Sequence, residues 1–199
     1  MFAVLDTETT GLDATRARLI EIAIVGMDAH GGQEFEWSTL VNPGGSSAWG
    51  ASAIHGIANI DVQGAPTMLD LVPAIARRLR GRCIIAHNAA FDTAVLSQEF
   101  ARIGLQLPPT PSICTVQVSR SRGLKRLTLA SACRSHGLTI DRLHTALGDT
   151  RGAARLFAAL GGFDLPETSV RVRAASSLAP NWNHFLSALP EPKLSARVD

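Results

Sequence analysis

The sequence predicts a mixed α/β fold in which helices cover one sheet. Three segments with strand character come first, and the later segments alternate between helical and strand patterns. Strands joined by short turns pair antiparallel, whereas strands separated by a helix usually pair in parallel. The order of the segments therefore indicates a mixed sheet in one globular domain, and 199 residues are enough to bury its core.

The first three predicted strands are largely apolar and carry carboxylates at intervals: 2–8, 19–27 and 33–41. The second and third flank Gly31 and Gly32, which is typical of a hairpin turn. The stretch NPGGSSAWG, at 42–50, interrupts any periodicity and predicts a loop.

The remaining elements are predicted from helical spacing, buried apolar runs and glycine stops. In order they are a helix over 70–80, a buried strand over 82–87, a helix over 91–104, a short strand over 112–116, and helices over 127–137 and 145–160. Beyond Gly162 the pattern gives way to Pro, Ser and Arg. We therefore expect a domain over 1–162 and a tail over 163–199, with one short helix at 182–189.

Composition excludes several classes of protein. A hydrophobic fraction of 46% with a net charge of +2 is unlike a wholly disordered chain. No apolar run approaches 18 residues, so a membrane span is excluded, and the acidic start MFAVLDTETT does not resemble a secretion signal. Three cysteines without a paired pattern favour a reducing compartment. A cytoplasmic protein without a membrane partner is the expectation.

Charge is unevenly distributed along the chain. The first 36 residues hold seven acidic side chains and two arginines, whereas 120–155 holds eight basic and two acidic side chains. Arginine suits bidentate contact with phosphate, so this pattern favours a polyanionic substrate brought to an acidic centre. Solvated surface arginines are an alternative explanation.

Asp6 and Glu8 lie two residues apart in the first predicted strand, so both side chains project from one face. Two like charges about 4 Å apart repel by about 4 kcal/mol at an effective dielectric near 20. Water at an exposed strand end, a raised pKa or a bound cation could compensate.

Two further segments place polar groups where strands end and helices begin. HNAAFD, at 87–92, follows the buried strand, and active sites of open sheets collect at such carboxyl ends. Asn88 as a helix cap and Asp92 as a first-turn acid are the structural alternative. In HTALGD, at 144–149, His144 precedes the helix and Asp149 lies in its first turn. A histidine there could serve as a general base near neutral pH, or be purely structural.

LDTETTGL, IHGI, HNAAFD and HTALGD, in this order and spacing, resemble the DEDDh exonuclease family, and in particular the proofreading epsilon subunits of bacterial DNA polymerase III. The resemblance covers about residues 2–160. It implies an RNase H-like (exonuclease) α/β fold with a mixed five-stranded sheet, three antiparallel strands first. It also implies removal of nucleoside monophosphates from 3′ ends with two divalent metal ions, Mg²⁺ or Mn²⁺.

The resemblance also implies roles for individual residues. The four metal-binding carboxylates correspond to Asp6, Glu8, Asp92 and Asp149, and His144 corresponds to the general base. Substrate contacts correspond to Thr7, Thr9, Gly11, Leu12, His55, Asn88 and Phe91. One departure is Cys114 before Thr115, where the family often has an aspartate that is not a metal ligand. None of the ten aromatic residues is a tyrosine, which excludes the family branch that uses a tyrosine in place of the histidine.

The leading functional expectation is a 3′–5′ exonuclease on single-stranded DNA, acting in proofreading or repair. A 3′–5′ exoribonuclease is the alternative, since sugar choice depends on contacts to the 2′-hydroxyl that the sequence does not reveal. A non-catalytic binding protein has no reason to keep all five site residues. The tail could dock a DNA polymerase through 182–189, or be a disordered or self-packing extension.

Overall fold

A computed structural model describes residues 1–45 and 52–164, together with Phe185, Ser187 and Leu189. The strands are β1 (Phe2–Thr9), β2 (Leu19–Met27), β3 (Gln33–Leu40), β4 (Cys83–Ala86) and β5 (Ser112–Cys114). The helices are α1 (Ser52–His55), α2 (Asn59–Val62), α3 (Met68–Leu79), α4 (Ala89–Arg102), α5 (Thr115–Ser121), α6 (Leu129–Ser135) and α7 (Ala146–Ala159), followed by a 3₁₀ turn at Gly162–Asp164.

The five strands form one sheet in the order β3-β2-β1-β4-β5. β1 pairs antiparallel with β2, and β2 with β3, whereas the β1–β4 and β4–β5 pairs are parallel. The central position of β1 places its carboxyl end next to the ends of the parallel strands. The predicted mixed five-stranded sheet, with three antiparallel strands first, is confirmed.

Alternate residues of β1 serve two separate cores, as the two-residue period of a strand requires. Ala3 and Leu5 are buried against α3 and α4, whose core side chains include Ile75 and Phe100. Val4 is buried on the other face, against α6 and α7. The sheet is therefore the middle layer, and each face of β1 packs against a different layer of helices.

Several helix boundaries differ from the predicted ones. α3 begins at Met68, two residues early, because the Asp70 carboxylate accepts the Thr67 N–H at 2.9 Å and caps the first turn. α4 likewise begins early, at Ala89. The predicted strand over 112–116 ends at Cys114, and α5 follows it directly.

Three helices were not predicted: α1, α2 and α5. They have four, four and seven residues, too few for an apolar period to stand out from the sequence. The predicted loop at 42–50 lies outside the described residues from position 46 onward.

Beyond α7, aromatic packing continues into residues predicted as tail. The Phe163 ring lies 5.5 Å from the Phe2 ring and 5.0 Å from the Phe157 ring. Farther along, the Phe185 ring lies 5.8 Å from the Phe100 ring, and Leu189 packs against the same core. Residues 165–184, 186, 188 and 190–199 lie outside the described residues, and they include most of the predicted helix at 182–189.

The three cysteines are free thiols; Cys133 is buried, and Cys83 and Cys114 are partly buried. Within the part of the chain that the structure describes, every helix is too short or too polar to cross a bilayer.

Candidate active site

Three carboxylates meet where β1 ends and α7 begins. Asp6 and Glu8 project from the face of β1 that packs against α7, and Asp149 lies in the first turn of that helix. One oxygen from each of the three lies within 4.8 Å of the other two. The strand period and the start of α7 thus bring together side chains separated by more than 140 positions.

Asp92 reaches the same region from the opposite helical layer. It lies in the first turn of α4, is 3% exposed, and accepts a hydrogen bond of 2.8 Å from Thr7 Oγ1. Thr7 projects from the face of β1 opposite to Asp6 and Glu8. Asp92 is not one of the group of three, yet it is close enough for its charge to raise the pKa of Asp6.

The electrostatics of this cluster are unfavourable without a cation. Burial, and then the charges of Asp92 and Asp149, raise the pKa of Asp6 well above its ordinary value. Burial and the charge of Asp149 raise the pKa of Glu8 to about 7. Burial also raises the pKa of Asp149 and of Asp92. Each carboxylate is therefore destabilised in its ionised form.

The donor set fits hard divalent cations. Mg²⁺ and Mn²⁺ prefer oxygen ligands, and two such ions would offset four carboxylate charges. Asp149 Oδ1 is buried without a hydrogen-bond partner among the described residues, an arrangement that is costly unless a ligand satisfies that oxygen. The residues present can therefore hold metal ions.

Glu21 is a fifth carboxylate that the sequence reasoning did not single out. It lies opposite Glu8 in the β1–β2 ladder, and its Oε2 accepts the backbone N–H of Ala146 at 2.9 Å. Burial raises its pKa. A signal was available, since Glu21 is the one charged residue in the apolar run LIEIAIVGM.

His144 is exposed and lies immediately before the cap residue of α7. Its φ of 62° is in the left-handed region, which a non-glycine residue rarely occupies. The His144 backbone N–H and imidazole both act to lower the pKa of Asp149, which places this histidine beside the cluster.

A tight turn supports that backbone conformation. Thr145 Oγ1 donates to the Arg142 carbonyl at 2.8 Å and accepts the Gly148 N–H at 3.2 Å. A Cβ at Gly148 would overlap the Arg142 carbonyl oxygen, so only glycine fits there. The segment from Arg142 to Gly148 is thus closely packed.

The first motif continues into an exposed turn. Thr9 is buried, and its Oγ1 donates to the Gly11 carbonyl at 2.7 Å. Open space surrounds Gly11, and the Leu12 side chain is 80% exposed. The turn therefore presents an apolar side chain to solvent just past the carboxylate-bearing end of β1.

An ion-pair network around the buried carboxylate of Glu99 holds the far end of the loop 10–18, which joins β1 to β2. Glu99, in α4, accepts hydrogen bonds from Arg18 Nε and from Arg102, each at 2.8 Å. Arg102 also donates to the carbonyls of Thr15 and Ala17. The loop that carries Leu12 is therefore fastened to the helix that carries Asp92.

The other predicted substrate-contact residues have mixed surroundings. His55 is buried; its Nδ1 accepts the Ile57 N–H at 3.0 Å, while Nε2 has no hydrogen-bond partner among the described residues. Asn88 caps α4 through its backbone, with a φ of 75°. Phe91 is partly buried against the α3–α4 core, so its ring is only partly available to a ligand.

The comparison with protein families decides what kind of enzyme this arrangement belongs to. The family model described as exonuclease (RNase T) matches residues 3–157. The chain belongs to this exonuclease family. The matched range includes every carboxylate of the cluster and His144.

Relatives of this exonuclease include bacterial proteins named as DNA polymerase III epsilon subunits, as the motifs predicted. The DNA polymerase III subunit epsilon of Treponema pallidum is 30% identical over 160 residues, covering 78% of this chain and 74% of that protein. The epsilon subunit of Aquifex aeolicus is 28% identical, with 78% of each chain covered. The chain spans only 10% of a PolC-type polymerase III from Lactococcus lactis and 23% of an epsilon-like protein from Rhodobacter capsulatus.

Solved structures of other exonucleases share the fold. Exonuclease X in complex with 5′ overhanging duplex DNA superposes with a TM-score of 0.65 at 26% identity, covering 85% of this chain and 96% of that one. Exonuclease I superposes with a TM-score of 0.72 at 18% identity, covering 82% and 42% respectively. The predicted RNase H-like exonuclease fold is confirmed.

Proposed function

We propose that this exonuclease removes nucleoside monophosphates from the 3′ ends of single-stranded DNA, with two divalent cations, Mg²⁺ or Mn²⁺. The observation that carries the proposal is the group of Asp6, Glu8 and Asp149, with Asp92 beside it, in a chain of the exonuclease family. A 3′–5′ direction and a role in proofreading or repair follow the epsilon-named relatives.

In this proposal the four carboxylates hold the metal ions at the carboxyl end of β1. The bound cations would offset the carboxylate charge and stabilise charge on the scissile phosphate and the leaving 3′ oxygen. Asp6, Glu8 and Asp149 supply oxygens from the α7 side, and Asp92 supplies its oxygens from the α4 side.

His144 acts as the general base. A water oxygen attacks phosphorus and its proton passes to an imidazole nitrogen of His144. The bond between phosphorus and the 3′ oxygen breaks, and the leaving 3′ oxygen takes up a proton from solvent water. The position of His144 beside Asp149 supports this role, because metal ions held by the cluster would bind the scissile phosphate there and the exposed ring remains accessible to water.

The terminal nucleotide contacts the turn after β1 in this proposal. Leu12 supplies an apolar surface for the base, while the backbone of Thr9 and Gly11 approaches the nucleotide because no side chain obstructs Gly11. His55 Nε2, buried and without a partner among the described residues, can donate to the same nucleotide. Thr7 and Asn88 orient the metal-binding carboxylates and helix α4, and Phe91 borders them.

The substrate is tested with matched DNA and RNA oligonucleotides, each blocked at its 3′ or 5′ end, in Mg²⁺, Mn²⁺ or EDTA. We expect mononucleotide release from DNA with a free 3′ end and a metal ion. Preference for RNA would replace the DNA proposal with the exoribonuclease alternative. The Asp6→Asn protein should be inactive, whereas Asp141→Asn, an equal charge change at a highly exposed side chain, should retain activity.

A DNA polymerase as partner is a further proposal, supported by the names of the epsilon relatives. Phe185 and Leu189 pack against the α4 core, so these two side chains favour a self-packing extension over a free docking segment. Deleting 165–199 and testing for copurification with a polymerase decides the matter. A complex that survives the deletion would exclude docking through the tail.

A further inference from the structure

We propose that Glu21 is a positioning residue: by accepting the Ala146 N–H, it fixes the start of α7, and with it His144 and Asp149, against the β1–β2 strand pair. This inference rests on the proposed exonuclease function. It gives Glu21 a task distinct from metal ligation, although its carboxylate adjoins the acidic cluster.

The position of Glu21 in the sheet makes this contact possible. Glu21 and Glu8 are directly opposed in the antiparallel ladder, so their side chains leave the sheet on the same face. That face also carries Val25 and Met27, which are buried in the core with α7. Glu21 is therefore the polar end of the surface on which α7 packs.

The Glu21 carboxylate accepts a hydrogen bond at the amino end of α7, where backbone N–H groups need acceptors. The first four N–H groups of a helix lack partners within the helix. Thr145 Oγ1 accepts the N–H of Gly148, and Glu21 Oε2 accepts that of Ala146 at 2.9 Å. A carboxylate at a helix amino end is also favoured by the helix dipole. The two contacts together determine where α7 begins.

The backbone N–H that Glu21 binds lies between the proposed general base and the proposed metal ligand of α7. Ala146 is two positions after His144 and three before Asp149. The hydrogen bonds of the Thr145 hydroxyl stay within the turn, because its partners are Arg142 and Gly148. The Glu21 contact instead ties this turn to the sheet, 125 positions away in sequence. Losing it would release the turn from the strand pair.

The negative charge of Glu21 destabilises the ionised carboxylates of the cluster. Variants can therefore distinguish an effect of this charge from an effect of the hydrogen bond to Ala146. The Glu21 carboxylate raises the pKa of Asp6, Glu8 and Asp149. A neutral glutamine keeps an oxygen acceptor at the same reach and removes this repulsion. An aspartate keeps the charge but is one methylene shorter. The two variants therefore lose different properties.

The test compares Glu21→Gln, Glu21→Asp and Glu21→Ala in two measurements on the full chain. The first is amide hydrogen exchange at Ala146 in metal-free protein. The second is kcat and KM on a short DNA oligonucleotide with saturating Mn²⁺. We expect Glu21→Gln to stay within about threefold of the unsubstituted protein in both. In Glu21→Asp and Glu21→Ala the amide of Ala146 should exchange at least about tenfold faster, and kcat should fall by at least about tenfold, with KM nearly unchanged.

The opposite pattern would overturn the proposal. If Glu21→Asp is active and Glu21→Gln is not, activity depends on the negative charge of Glu21 and not on its hydrogen bond with Ala146. If Ala146 exchanges equally slowly in every variant, there is no anchor. If Glu21→Ala does not fold, Glu21→Asp and Glu21→Gln decide the question alone. If the unsubstituted protein releases no nucleotide, the proposed function fails, while the exchange measurement still judges the anchor.

Discussion

Thr7 Oγ1 and Asp92 Oδ1 form a hydrogen bond of 2.8 Å that links the central strand to the helix on its α4 side. Asp6 and Glu8, the neighbours of Thr7, face the other way, toward α7. One strand segment, Asp6–Glu8, therefore connects both helical layers to the same acidic site. Side-chain alternation in a strand is what allows this.

The first prediction concerns Thr7. Thr7→Val keeps the side-chain shape but removes the hydroxyl that lowers the pKa of Asp92 and orients its carboxylate. We expect kcat in Mn²⁺ to fall by about tenfold, since a neutral-to-charged hydrogen bond contributes about 1.5–3 kcal/mol. Thr7→Ser, which keeps the hydroxyl, is the control. Equal rates for Val and Ser would show that the hydrogen bond is unimportant.

The second prediction is a fall in the stability of metal-free protein as pH rises. The pKa of Glu8 is raised from 4.5 to about 7, and the pKa values of Asp6, Asp92 and Asp149 are raised too. The folded protein therefore holds protons that the unfolded chain releases. The stability this contributes is complete below about pH 4.5 and is lost as pH rises through about 7.

Urea unfolding in EDTA at pH 5, 6, 7 and 8 measures this dependence. In the proposed function Mg²⁺ would bind the ionised carboxylates, so the stability gained from added Mg²⁺ should grow over the same range. Glu8→Gln, which cannot ionise, should show a weaker fall with pH. His55 and His87, whose pKa values burial lowers, act in the opposite direction over this range, so the comparison with Glu8→Gln decides. The same pH dependence in Glu8→Gln and in the unsubstituted protein would contradict the prediction.

The third prediction separates catalysis from metal binding. His144→Ala should lower kcat by about 10²–10⁴, the usual contribution of a general base, without reducing the number of Mn²⁺ ions bound. Calorimetric titration with Mn²⁺ and single-turnover hydrolysis measure the two effects. A single-turnover rate within about threefold of that of the unsubstituted protein would exclude this role.

The fourth prediction concerns the buried ion pairs of Glu99. Glu99→Ala leaves Arg18 and Arg102 without their shared partner, and we expect a loss of about 1.5–3 kcal/mol in the free energy of unfolding, since both arginines stay partly solvated. KM for DNA should rise, because Arg102 holds the loop that carries Leu12. Glu36→Ala, which breaks a surface pair with Arg151, is the control and should cost about 1 kcal/mol or less. Similar losses in both variants would contradict the role of Glu99.

Local periodicity explains what could be predicted about the site. Asp6 and Glu8 share a face because strand side chains alternate. Asp92 and Asp149 lie in the first turns of α4 and α7, where the helix dipole favours an acidic side chain. The short helices α1 and α2 could not be predicted, because one turn leaves no period to detect. Glu21 was visible as an acid in an apolar strand, but its role depended on the strand register.

The sequence by itself determined the order of the five strands and of helices α3, α4, α6 and α7, and it showed which side chains lie at the ends of those elements. Only the tertiary structure decided that Glu21 holds the start of α7, that Asp92 reaches the cluster from the α4 layer, and that Phe185 lies against Phe100. The physical reason is the distance along the chain over which each interaction acts. Periodicity, capping and turns act over a few residues, whereas register between strands and packing between layers join residues 80 or more positions apart.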